Sequence, residues 1–139
     1  MKFYTHQHKH YCGIDLHARQ MYVCIMDAPG KVCFSRNLEC TPDAFLAAVK
    51  PFREDLVVAV ECMFAWYWLA DLCQREGIAF VLGHALYMGA IHGGKAKNDK
   101  LDAHKITGLV RGGMLAKAYV YPPRMRATRD SRCPGVATW

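Results

Sequence analysis

YCGIDLHARQMYVCIMDAPGKVCFSRNLE, residues 11–39, holds three runs rich in strand formers: Tyr11 to Asp15, Met21 to Asp27 and Val32 to Glu39. Ala28-Pro29-Gly30-Lys31 between the second and third is a turn signal. Three strands so closely joined predict an antiparallel meander. A flavodoxin-like domain needs helices between its early strands, because parallel neighbours require long crossovers, and this spacing leaves no room for them. Asp15 ends the first strand, where a carboxylate has no obvious structural use.

Beyond residue 40 the period changes. Thr41-Pro42-Asp43 reads as a helix start: an N-cap hydroxyl, proline at the first helical position and an acid near the positive end of the dipole. Phe45, Leu46, Val49 and Phe52 form its apolar face. LVVAVE, residues 56–61, is an almost wholly apolar run, as expected of a central strand covered on both faces. Trp66 to Glu76 reads as a second helix ending at Gly77, IAFVL (78–82) as another buried strand, and Asn98 to Val110 as a helix with Leu101, Ile106, Leu109 and Val110 at its apolar positions. A meander followed by alternating helices and strands is the order of an α/β, ribonuclease-H-like mixed sheet.

The 139 residues suit one domain with a core of ordinary size, and 53% hydrophobic with 22% charged residues predicts a globular chain. No apolar run approaches the ~20 residues that span a bilayer. MKFYTHQHKHY lacks the apolar core of a signal peptide, so a cytoplasmic location is expected. The seven cysteines (12, 24, 33, 40, 62, 73 and 133) are odd in number and contain no C-x-x-C pair, which favours buried reduced thiols over a disulfide framework or zinc site. His6, His8 and His10 alternate within residues 1–10, expected to be a flexible, frayed terminus. The net charge of +6 favours a polyanionic partner.

Most of the twelve acids have ordinary explanations in turns, caps and exposed helix faces. Three places resist them. Asp15 ends a strand, Glu61 ends the apolar run LVVAV, and Asp99 and Asp102 stand three apart at a helix start, so both project from one face. Adjacent strand ends and one helix can bring such groups to one point. Clustered carboxylates raise one another's pKa, and divalent cations remove that penalty. Mg²⁺ takes oxygen ligands, and two such ions about 4 Å apart activate a nucleophile and stabilise a leaving oxygen in phosphodiester cleavage. Each acid alone is better read as a dipole partner or an edge residue. The set reads first as a metal site, because Glu61 has no good structural use.

ATP chemistry is disfavoured. Actin-like and sugar-kinase ATPases follow the first-strand acid with a glycine turn, whereas Asp15 is followed by Leu16-His17-Ala18, and GGKAKNDK (93–100) lacks P-loop spacing.

YCGIDLH (11–17), VVAVEC (57–62) and GHALYMGAIHGGKAKNDKLDAHKI (83–106) together resemble the N-terminal RuvC-like domain of the DEDD-type insertion-element transposases, a family that includes the Piv DNA invertases. The similarity runs from about Tyr11 to Asp130, and KNDKLDA is its most specific part. The resemblance implies a ribonuclease-H-like fold, Mg²⁺ (with Mn²⁺ as a substitute) as cofactor, and cutting and rejoining of DNA. It makes Asp15, Glu61, Asp99 and Asp102 the catalytic, metal-binding acids. It also implies a structured guide RNA as partner, and a homo-oligomer is expected.

The chain departs from that pattern. Ala18 stands where many relatives carry lysine, and Cys62-Met63-Phe64 where many carry a glycine. Relatives continue through a helical segment into a second domain holding a serine nucleophile. Here RMRATRD (124–130) resembles the start of that basic helix, and SRCPGVATW abandons helical spacing. The expected organisation is therefore a flexible stretch (1–10), a RuvC-like catalytic domain (11–123) and a truncated or frameshifted linker (124–139), a fragment incomplete for recombination and of uncertain enzymatic competence. Lys95, Lys97, Lys100 and Lys105 around the acidic pair, with Arg124, Arg126 and Arg129, are the candidate phosphate contacts. The alternatives are a stand-alone structure-selective endonuclease similar to Holliday-junction resolvases, and a non-catalytic remnant that binds nucleic acid.

Overall fold

The computed structural model describes residues 2–61, 66–84 and 99–118. In chain order these form β1 (Phe3–Tyr4), β2 (His10–Leu16), β3 (Gln20–Asp27), β4 (Val32–Glu39), α1 (Pro42–Val49), a 3-10 turn (Lys50–Asp55), β5 (Leu56–Glu61), α2 (Tyr67–Glu76), β6 (Ala79–Gly83), α3 (Asp99–Arg111) and β7 (Leu115–Ala118). The seven strands lie in one sheet in the order β1-β7-β6-β5-β2-β3-β4. β2, β3 and β4 make the expected antiparallel meander, and β5 and β6 add in parallel beside β2. This is a mixed sheet of ribonuclease-H-like type.

Strand alternation decides what each face carries. Cys12, Ile14 and Leu16 of β2, Met21, Val23 and Ile25 of β3, and Val58 and Val60 of β5 pack under α1 and α2 with Phe45, Val49, Leu69 and Leu72. Tyr11, Val57, Ala59 and Val81 point to the other face and pack with Ile106 and Val110 of α3. β5 is buried on both sides, which is why LVVAV is apolar without alternation. Thr41 caps α1 through its hydroxyl, which accepts from the Ala44 amide at 3.2 Å. α2 ends at Gly77, whose φ of 71° lies in the left-handed region, and the Ile78 amide returns to the Cys73 carbonyl at 2.8 Å.

Two features differ from the sequence expectation. β7 has no β-branched residue and is a strand through its partners, pairing Phe3 with Ala116 and Leu82 with Ala118. The N-terminal stretch expected to fray is tied down. His8 Nδ1 lies 2.8 Å from Asp55 Oδ1, and its Nε2 lies 2.6 Å from the Tyr4 hydroxyl. Nδ1–H donating to Asp55 while the Tyr4 hydroxyl donates to Nε2 satisfies both contacts. Cys12, Cys24 and Cys73 are buried free thiols, whereas Cys33 is exposed; Cys62 and Cys133 lie outside the described residues. Among the described residues no helix is long and apolar enough to cross a membrane.

Candidate metal centre

The centre begins with a glycine. Gly13 faces α3, and a Cβ built there would overlap Thr107 Oγ1, lie 2.5 Å from the Thr107 amide nitrogen and 2.7 Å from the Ala103 carbonyl oxygen. Only glycine lets the helix backbone approach the sheet this closely. The buried Thr107 hydroxyl fixes the contact, 2.7 Å from the Ala103 carbonyl and 3.3 Å from the Cys24 carbonyl of β3. This seats the first turn of α3, with Asp99 and Asp102, beside the end of β2.

Asp15 lies two residues beyond Gly13 on the same face of β2. Although charged, it is only 7% exposed, and Asp102 only 6%. His17 Nε2 sits 2.9 Å from Asp15 Oδ2 and 3.0 Å from Asp99 Oδ1, so one ring nitrogen bridges carboxylates from the strand and the helix. The ligand atoms of Asp15, His17 and Asp99 all fall within 4.8 Å of one another. Asp102 and Glu61 stand outside that tight group. Glu61 is half-buried at the end of β5. The parallel register pairs Ile14 with Val60, so Asp15 and Glu61 follow at neighbouring strand ends. Alternation gives Glu61 the face of Val57 and Ala59, the α3 side.

Burial pushes the Asp15 carboxyl up to about 6; the His17 hydrogen bond and charge oppose that shift, while the charges of Asp102 and Asp99 add to it. For His17, burial works against the charged ring, but the hydrogen bonds and charges of Asp15 and Asp99 outweigh it and hold its pKa above the usual histidine value. The centre thus resists a bare negative charge and rewards a positive one placed between its carboxylates. Oxygen donors in that setting match a hard divalent cation, and the imidazole nitrogen adds a donor that Mn²⁺ accepts.

His17 was not among the acids singled out by sequence. Its spacing of two from Asp15 was the available signal, since that interval returns a side chain to the same face of a strand. Of the candidate phosphate contacts, Lys100 is exposed on α3 and Lys105 is half-buried on it. Lys95, Lys97, Arg124, Arg126 and Arg129 lie outside the described residues, as does the linker expected over 124–139.

No curated protein matches the sequence. The family model of IS110-type DEDD transposases, described as Transposase, matches residues 12–130 and so takes in Asp15, Glu61, Asp99 and Asp102. With a ribonuclease-H-like sheet bearing acids at the end of β2 and the start of α3, the chain belongs to the IS110-type DEDD transposase family, within its N-terminal RuvC-like catalytic region.

Proposed function

We propose that Asp15, Glu61, Asp99 and Asp102 hold divalent cations, Mg²⁺ or in its place Mn²⁺, for cleavage and transfer of DNA strands. The observation that carries this reading is the meeting of Asp15 and Asp99 around one point, where burial opposes the ionised carboxylate of Asp15. A pair of bound ions supplies an activated nucleophile and a stabilised leaving oxygen. The chain's own residues prepare that site. Gly13 fixes the distance between strand and helix, Asp15 and Asp102 present buried carboxylates, and Asp99 offers a more open one. In the metal-free site His17 stands at the rim and its Nε2 holds a proton between Asp15 and Asp99, a proton it must give up to coordinate a cation. Lys95, Lys97, Lys100, Lys105, Arg124, Arg126 and Arg129 contact phosphates in this proposal. The family resemblance extends it to a guide RNA and a homo-oligomer.

Thermal melting tests the metal reading. Mg²⁺ or Mn²⁺ at ten times its Kd should stabilise the chain by about 1.4 kcal/mol. Asp15→Asn combined with Asp102→Asn should remove that rise. An equal rise in the double variant would place the ions elsewhere and end the proposal.

A further inference from the structure

Beyond α3, the face of β3 and β4 that the helix does not cover carries a continuous polar shelf. The opposite face of the same strands is core, with Met21, Val23 and Ile25 buried and Phe34 and Leu38 packed against them. On the α3 side stand Gln20, Tyr22, Ser35 and Asn37, linked in two networks. The Tyr22 hydroxyl lies 2.8 Å from Ser35 Oγ, which lies 2.9 Å from His104 Nε2 on the helix, and the Asn37 amide donates to Gln20 Oε1 at 3.1 Å.

The shelf adjoins the acidic centre on two sides. Tyr22 pairs directly with Asp15 across β2 and β3, and Lys100 follows Asp99. The helix flank above it carries Lys100, His104 and Arg111, spaced four and seven residues apart and so on one side of α3. At 1.5 Å rise per residue, Lys100 and Arg111 are about 16 Å apart along the helix, enough to reach more than one phosphate of a single strand. Hydroxyls, amides and the two cations Lys100 and Arg111 beside a metal centre suit a sugar-phosphate backbone, which is held by such groups whatever its sequence. Glu39, paired with Gln20, stands at the outer corner of the shelf.

We propose that this shelf carries the phosphodiester backbone of one DNA strand into the acidic centre, the hydroxyl and amide groups fixing its path and the α3 cations supplying attraction. The proposal rests on the reading of that centre as a site of DNA strand cleavage.

The test is salt-dependent binding of a short, labelled, mixed-sequence DNA oligonucleotide to the full chain, single-stranded and duplex. Asn37→Asp should weaken binding by roughly three- to tenfold, and Glu39→Gln should tighten it by roughly the same factor. Gln74→Glu on the exposed face of α2 makes the same charge change as Asn37→Asp and should leave binding near wild type. Equal weakening by Asn37→Asp and Gln74→Glu, or no tightening in Glu39→Gln, would overturn the shelf. Metal-dependent melting of the same proteins keeps the two readings apart. The shelf variants should retain the wild-type metal response, and a wild type with no response would remove the centre and the shelf with it.

Discussion

Replacing Gly13 with alanine probes how the fold builds the centre. The new Cβ would meet the Thr107 amide nitrogen at 2.5 Å and the Ala103 carbonyl oxygen at 2.7 Å, both backbone atoms of α3 that no rotamer change can move. Relief to the 3.4 Å of ordinary contact requires the helix to retreat by about 0.9 Å. Overpacking of this kind costs about 1–3 kcal/mol, which for a chain of this size lowers Tm by about 4–12 °C. A retreat of that size also separates Asp99 and Asp102 from Asp15, and misplacement near 1 Å costs about 10²-fold in rate where reacting groups must be aligned. Differential scanning calorimetry with and without Mn²⁺ reads both effects: a lower Tm, and a smaller metal-dependent rise. Adding Thr107→Ala should rescue only part of the loss, because it removes the hydroxyl clash and leaves both backbone clashes. A Gly13→Ala protein that melts like wild type with an undiminished metal response would refute the account of how α3 is seated.

Two further predictions follow from the titrating groups and the N-terminal strap. In the metal-free protein, Asp15 has a folded pKa of about 6, raised above its unfolded value, and His17 is also raised. Both favour the folded state while protonated, so their contribution is complete below the unfolded values and is lost as pH rises through the folded ones. Metal-free wild type should therefore lose stability between about pH 4 and about pH 7 more steeply than Asp15→Asn, and parallel curves would contradict the shifts. His8→Ala should cost about 1–2 kcal/mol by removing the bonds to Tyr4 and Asp55, and should speed amide exchange in β1 and β7 more than in β5. Uniform exchange across the sheet would show that His8 does not hold the strap.

Much of this arrangement is legible in the sequence because local chemistry and tertiary structure agree. Ala28-Pro29-Gly30 marks the β3–β4 turn, where Asp27 Oδ1 accepts from the Lys31 amide at 2.7 Å, and LVVAV announces a strand buried on both faces. Asp15 and Glu61 are conspicuous because each ends an apolar strand. Other features depend on distant partners. His17 gains its role from Asp99, 82 residues away. Gly13 looks like any strand glycine until the backbone of α3 is placed against it. β7 and the histidines of the terminus carry no strong propensity, and their order comes from pairing with β6, β1 and Asp55. The polar side of β4 reads as an ordinary half-exposed edge until Ser35 is seen to meet His104.

The most direct test is a crystal soaked in Mn²⁺ and measured at a wavelength where manganese scatters anomalously. The account predicts a peak between the end of β2 and the start of α3, with carboxylate oxygens of Asp15 and of Asp99 or Asp102 at about 2.0–2.3 Å. Manganese bound only elsewhere, with His17 still bridging Asp15 and Asp99, would contradict it.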